Sequence, residues 1–171
     1  MVTVTGSSFQ PPSNVRIIPA DTDRLRSACQ AVRWEVFVIE QQVPFALEID
    51  ARDFLDSTVH LAAVDEDDQV VGTVRVLRDS PEQFHLGRLA VLPAARGHGA
   101  GSALVTAVHD AVAALLPTAA TAVIIAEAQV QAAAMYTKLG YEAVSLQTFM
   151  EAGIEHQTMS VTVTGVRQSE Q

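Results

Sequence analysis

The chain has 171 residues, 49% of them hydrophobic and 18% charged, a composition that excludes a disordered segment and suits one domain with its own core. Eleven lysines and arginines oppose twenty aspartates and glutamates, and the resulting charge of -9 repels a phosphate backbone, which argues against nucleic-acid binding. Cys29 is the single cysteine, so neither an internal disulfide nor a cysteine-built zinc site can form, and a reducing, cytoplasmic location is expected.

Residues 1–14 mix Thr, Gly, Ser, Pro and Asn without periodicity and read as a loose arm, with a single domain expected over 15–171. No basic stretch followed by an apolar one precedes Ala20, so no secretory leader is expected there. A strand signal covers 15–19, after which Asp21, Thr22 and Asp23 offer acceptors for the amides that open a helix. Leu25, Cys29, Val32, Val36 and Ile39 then recur at helical spacing and predict a helix over 21–39, closed before Pro44. Residues 42–57, with Glu48, Asp50, Asp53 and Asp56, predict an acidic connecting loop with room for one helical turn. Two β-branched runs, 58–64 and 70–77, flank the acidic turn 65–69 and predict a hairpin, and 84–92 predicts another strand ended by Pro93.

After a glycine-rich turn, Leu104, Val108, Ala111, Val112 and Leu115 mark a helix to about residue 116, stopped by Pro117. The apolar stretch 112–126 is broken by that proline and falls short of the ~18 to 20 residues a bilayer span needs, so no membrane insertion is expected. Val123, Ile124 and Ile125 predict a strand over 122–126, and 130–138 predicts a helix with Gly140 as its C-terminal cap. Thr158, Ser160, Thr162 and Thr164 alternate with Met159, Val161 and Val163 in a final strand able to pair across the two-fold axis of a homodimer. The order β-α-β-β-β-α-β-α-β-β predicts an α/β domain with antiparallel hairpins first and a strand-helix-strand unit after them.

The sharpest local signal is Arg96-Gly97-His98-Gly99-Ala100-Gly101, set between the strand ending Leu89-Ala90-Val91 and the helix beginning near Ser102. Glycines there let backbone amides approach an anion, and the helix N-terminus adds partial positive charge at the same point. A P-loop would need Lys and then Ser or Thr after the last glycine, where Ser102-Ala103 stands, and a dinucleotide fingerprint would need glycine in place of Leu104. On spacing alone, the same glycines also suit a plain strand-to-helix connection.

Arg96, Gly99 and Gly101 fall in the pattern of Arg or Gln, two residues, Gly, one residue, Gly or Ala, and in this the chain resembles the GNAT acyltransferases. The resemblance continues with Arg88-Leu89-Ala90-Val91 before the turn and Ala134-Met135-Tyr136-Thr137-Lys138-Leu139-Gly140-Tyr141 after it. It implies a mixed, mainly antiparallel sheet with a V-shaped splay between strands 4 and 5 (84–92 and 122–126) and helices on both faces. It also implies acetyl-CoA as cosubstrate, its pyrophosphate held by the backbone of Gly97, His98, Gly99, Ala100 and Gly101 together with Ser102, with Arg96 supporting the turn. The pantetheine arm is then implied to run along Leu89, Ala90 and Val91, with Gln129 and Tyr136 beside the cofactor. The implied reaction is direct attack of a neutral amine on the thioester carbonyl in a ternary complex, Tyr136 matching the family's general acid. Glu40, Glu48, Asp53, His60, His85 and His156 have the chemistry of a general base, and Glu40 and His156 are the two candidates retained. Gly87 stands where many relatives carry an acid, which weakens a base on that strand.

A narrower resemblance, to the small bacterial ElaA-like branch of GNAT proteins, covers the run from Arg33 to Gln41, the acids Glu48, Asp50 and Asp53, His60, and the run from Ile154 to Met159. It implies an acceptor pocket built from Arg33, Phe37, Glu40, Gln41, Arg75 and His156. The acidic chain favours a small cationic amine as acceptor. His60, His156 and Asp50 lack the spacing of a ligand pair, so no metal is expected. A non-catalytic module that binds acyl-CoA as a sensor is the alternative reading.

Overall fold

Alternation and capping account for most of the elements. A computed structural model of the chain describes residues 3–5 and 14–166. Within the arm expected over 1–14, β1 (Thr3–Thr5) pairs parallel with the last strand, while residues 6–13 lie outside the described residues. β2 (Arg16–Pro19) leads into α1 (Asp23–Arg33), where the Thr22 hydroxyl accepts the Leu25 amide at 3.2 Å and Asp23 sits at the positive end of the helix. The helix does not continue to 39 in α geometry. Its extension, Trp34–Glu40, widens into a π-helix, closed by the Gln41 amide donating to the Val36 carbonyl at 3.1 Å. The wider turn breaks the apolar spacing after Val36, so that Ile39 is exposed. The acidic loop folds into α2 (Phe45–Glu48) and a 3-10 turn at Ala51–Phe54, the latter opened by a capping box between Asp50 and Asp53.

β3 (Val59–Val64), β4 (Val70–Ser80) and β5 (Gln83–Val91) form the antiparallel part of the sheet, and Asp65 closes the β3–β4 turn by accepting the Asp67 and Gln69 amides at 3.0 and 2.9 Å. α3 (Ala100–Leu115) and β6 (Thr121–Gln129) follow. The helix expected over 130–138 begins as a 3-10 turn, Val130–Ala132, and is α-helical only as α4 (Ala133–Lys138). β7 (Glu142–Glu151) and β8 (Ile154–Thr164) end the described chain. The strands form one sheet in the order β1-β8-β6-β5-β4-β3-β2, with β7 also beside β8. β8 thus has β6 on one side and β7 and β1 on the other, so the free edge required for pairing the final strand across a two-fold axis is already occupied.

Alternation along β3 fixes the layers. Leu61 and Ala63 join Leu104, Val105 and Val108 of α3 in one cluster, whereas Ala62 and Val64 join Cys29 of α1 in another, so α1 and α3 cover opposite faces. Between α3 and the β7–β8 end lies a buried polar pair: His109, 5% exposed, shares a 3.1 Å hydrogen bond with the Tyr141 hydroxyl. Burial lowers the His109 pKa from 6.5 to about 4, so the folded chain holds this ring neutral where the unfolded chain protonates it. The contribution is present above pH 6.5 and is lost as the pH falls toward 4. At about 1.4 kcal/mol per tenfold difference in proton affinity, urea titrations at pH 7.5 and 4.5 should show a stability loss roughly 3 kcal/mol smaller in His109→Gln than in the unmodified chain. Parallel losses in the two proteins would show that His109 does not titrate in this window.

Candidate active site

The parallel pairing of β5 with β6 runs from Gln83↔Val123 to Leu86↔Ala126 and stops there. Beyond it, β5 stays on β4 through a bulge that puts Arg88 at φ +54, while β6 stays on β8 as far as Gln129↔His156. The two strands therefore part from Gly87 onward, and backbone edges that a sheet would pair instead face a cleft of about 1120 Å³. Leu89, Ala90 and Val91 line it, as do Arg96, Gly97, Gly99, Ala100, Gly101, Ser102, Gln129 and Tyr136. Phe37, Glu40, Gln41, Arg75 and His156 line the same cleft; Arg33 and His98 do not.

Gly97 and Gly99 both take φ +81, the left-handed conformation that side chains resist, and this turns the chain from Arg96 directly into α3. No side chain caps α3, and its first internal bond runs from the Ala103 amide to the Gly99 carbonyl at 2.9 Å. The amides of Ala100, Gly101 and Ser102 thus open a 16-residue helix without intrahelical partners, an arrangement that fits the pyrophosphate of a coenzyme A thioester. Arg96 braces this turn: its Nε donates to the Val91 carbonyl at 3.0 Å, and its two Nη groups each meet a Glu40 oxygen at 2.6 Å. Arg96 in turn holds Glu40 below the ordinary carboxylate range, which makes it a weak proton acceptor. Gln41 and Gln129 exchange amide hydrogen bonds of 3.2 and 2.8 Å and so tie the π-helical turn to the end of β6.

Tyr136 is 4% exposed, packs edge-on against Tyr141 with ring centroids 5.1 Å apart, and reaches the cleft wall. Burial pushes its phenol well above the ordinary 10.0, so it remains a protonated donor throughout the physiological range. His156 stacks on Phe149, and its Nδ1 lies 2.8 Å from the Ile154 carbonyl. A carbonyl can only accept, so Nδ1 carries the proton and Nε2 of the neutral ring has a free lone pair.

One end of the cleft rests on a buried ion cluster. The Arg33 side chain, 3% exposed, gives its Nε to Glu48, its Nη1 and Nη2 to Asp53 at 2.8 and 3.0 Å, and Nη2 also to the Glu48 carbonyl at 2.8 Å. Arg33 therefore stands behind the pocket expected to contain it and fixes the 45–54 segment that forms one wall. Burial alone would raise the Asp53 carboxyl, but Arg33 and Arg75 outweigh it and hold Asp53 below the ordinary carboxylate range. Arg88 donates to the carbonyls of Glu48 and Leu47, each at 3.0 Å, and pins α2 to the β5 bulge. His60 Nε2 donates to the Asp53 carbonyl at 2.9 Å and lies outside the cleft, whereas His85, on its wall, pairs with Asp79. Glu48 and Asp53, base candidates by their chemistry, are instead bound to Arg33, Arg75 and Arg88, and nothing local in the sequence pairs these acids with arginines so far along the chain. Among the described residues no group of His, Cys, Asp and Glu forms a metal site, and no helix is long and apolar enough to cross a membrane.

Residues 26–163 match the family model described as an acetyltransferase (GNAT) domain. The chain is 32% identical over 143 residues to an uncharacterized N-acetyltransferase of Bacillus subtilis, YjcF, covering 84% of this chain and 96% of that one. Its structure is similar to that of an acyl-CoA N-acyltransferase from Pseudomonas aeruginosa, with a TM-score of 0.74 and 30% identity over 86% of this chain and 99% of the other. Escherichia coli ElaA shares the fold at a TM-score of 0.75 and 24% identity, again over 86% of this chain and 99% of its own.

Proposed function

The chain belongs to the GNAT acetyltransferase family, and we propose that it transfers the acetyl group of acetyl-CoA to a primary amine of a small acceptor bound at the β4–β5 end of the cleft. The observation that carries this reading is the convergence on one cleft of an uncapped helix N-terminus, a splayed strand edge, a buried phenol and an imidazole with a free nitrogen. Acetyl-CoA supplies an acetyl group activated as a thioester. Gly97, Gly99 and the first amides of α3 hold its phosphates, and the unpaired edge of β5 from Leu89 to Val91 lies along its arm. The acceptor reaches the site as an ammonium cation, drawn by a chain of charge -9, and must lose a proton before its nitrogen can attack. His156 Nε2 takes that proton, directly or through one water, because Glu40 is committed to Arg96. As the C–N bond forms and the C–S bond breaks, Tyr136 donates its hydroxyl proton to the departing sulfur, and the proton the attacking nitrogen sheds on becoming an amide returns to the phenolate, directly or through water.

Calorimetric titration with acetyl-CoA tests the cofactor site. Gly99 sits at φ +81, so Gly99→Glu both strains the turn and places a negative charge among the phosphate-binding amides. Micromolar binding by the unmodified chain, weakened at least 100-fold in Gly99→Glu, is the expected result. An absence of binding by the unmodified chain would reduce the glycine turn to a strand-to-helix connection and remove the enzymatic reading.

A further inference from the structure

Arg75 is a buried cation with only part of its hydrogen-bonding capacity used. Its side chain is 4% exposed, and both of its hydrogen bonds leave from Nη1, to Asp53 at 2.9 Å and Asp50 at 3.3 Å. Nε is fully enclosed and has no partner. Nη2 makes no hydrogen bond within the protein, so a charged donor stays uncommitted on a residue that lines the cleft and is free to meet an oxyanion. Leaving a buried charged donor unpaired costs free energy that a ligand oxygen would recover.

Three further observations place that ligand. Arg75 pairs directly with Gly87 across β4 and β5, so their side-chain positions share one face, and a Cβ built on Gly87 meets nothing within 4 Å. The space over residue 87, on the face it shares with Arg75, is thus open because Gly87 has no side chain. Gly87 is also the first β5 residue beyond the last β5–β6 pair, which sets Arg75 about one strand spacing, ~5 Å, from the point where the strands part. Finally, among the described residues the cluster sets the guanidiniums of Arg33, Arg52, Arg75 and Arg88 against the carboxylates of Glu48, Asp50 and Asp53, leaving one positive charge in a chain of net charge -9.

We propose that Arg75 binds a carboxylate of the acceptor, so that the substrate class is amino acids or short amino-acid-like amines rather than polyamines or amino sugars. The inference rests on the acetyltransferase reading above. The amine lies toward the splay and the carboxylate one strand away, which fits a molecule whose nitrogen and carboxylate are separated by one to a few carbons. The preference for cations expected from net charge then applies to the ammonium end alone.

The test is acetyl-CoA-dependent transfer, followed by thiol release, to matched amines: the L-amino acids and β-alanine, each against its primary carboxamide, together with spermidine and kanamycin. Turnover confined to carboxylates, with kcat/KM at least 100-fold above the matching amide, is expected. Gly87→Asp places a competing carboxylate in that open space, on the face shared with Arg75, and should raise KM for the acid at least 10-fold while leaving the acetyl-CoA Kd unchanged. Arg75→Lys keeps a charge near Asp53 but loses the planar fork, and should collapse the acid-to-amide ratio, a quantity independent of the fraction of variant that folds. Equal or better use of amides, spermidine or kanamycin, or no turnover of any amine by protein that binds acetyl-CoA, would overturn the carboxylate assignment and leave the cofactor site standing. Failure to bind acetyl-CoA at all would overturn both readings.

Discussion

Replacing Tyr136 with Phe should lower kcat by about 100- to 1,000-fold while leaving the acetyl-CoA Kd unchanged, because the change removes one oxygen from the proposed general acid and nothing from the glycine turn. The phenol is 4% exposed, and among the described residues no other side chain engages its hydroxyl. Loss of the oxygen therefore breaks no internal hydrogen bond, and the melting temperature should stay within a few degrees. Burial raises the Tyr136 pKa, but the same dehydrated wall raises the basicity of a thiolate forming beside it, so the donor and the leaving group stay matched. A kcat within about threefold of the unmodified enzyme would remove Tyr136 from the chemistry and leave it as packing against Tyr141.

The half of the cleft proposed to hold acetyl-CoA is legible in the sequence because its signals are local. The spacing of Arg96, Gly99 and Gly101 encodes left-handed turns and a helix start within six residues, and the structure puts Gly97 and Gly99 at φ +81 immediately before α3. The half proposed for the acceptor is not legible, because its geometry depends on contacts between segments far apart in the chain. Arg33 reads as a charge on an amphipathic helix until the 45–54 segment folds over it and buries its side chain to 3% exposure. The uncommitted Nη2 of Arg75 is invisible for a related reason: it depends on which donors Asp50 and Asp53 have already occupied and on what Gly87 lacks. Helical spacing reads straight through Val36 to Ile39, yet one π-helical turn exposes Ile39 and lines the cleft with Phe37, Glu40 and Gln41. β7 has no burial alternation to betray it, being exposed along its whole length, with Leu146 at 93%.

Arg33→Met should destabilise the fold by about 3 to 5 kcal/mol, the range for removing one partner from a buried ion pair, although Met matches the arginine stem in bulk. Two buried carboxylates depend on this guanidinium. Asp53 would keep Arg75 at 2.9 Å and Glu48 would keep Arg88 at 3.1 Å, but the Glu48 carbonyl would lose its bond from Arg33 Nη2 at 2.8 Å. Arg33→Lys, which restores a charge without the fork, should recover only part of the loss in a urea titration. Because Asp53 titrates below 3.8 in the folded chain, the difference between the unmodified chain and Arg33→Met should be full near neutral pH and shrink as the pH falls through 3.8 and below. The defect should also be local: the glycine turn makes no bond to the cluster, so the folded fraction of Arg33→Met should bind acetyl-CoA normally while KM for the acceptor rises. A destabilisation below about 1 kcal/mol would instead mean that the 45–54 segment is held by its apolar contacts, such as the edge packing of Phe45 on Trp34 at 5.2 Å, and that the ions add little.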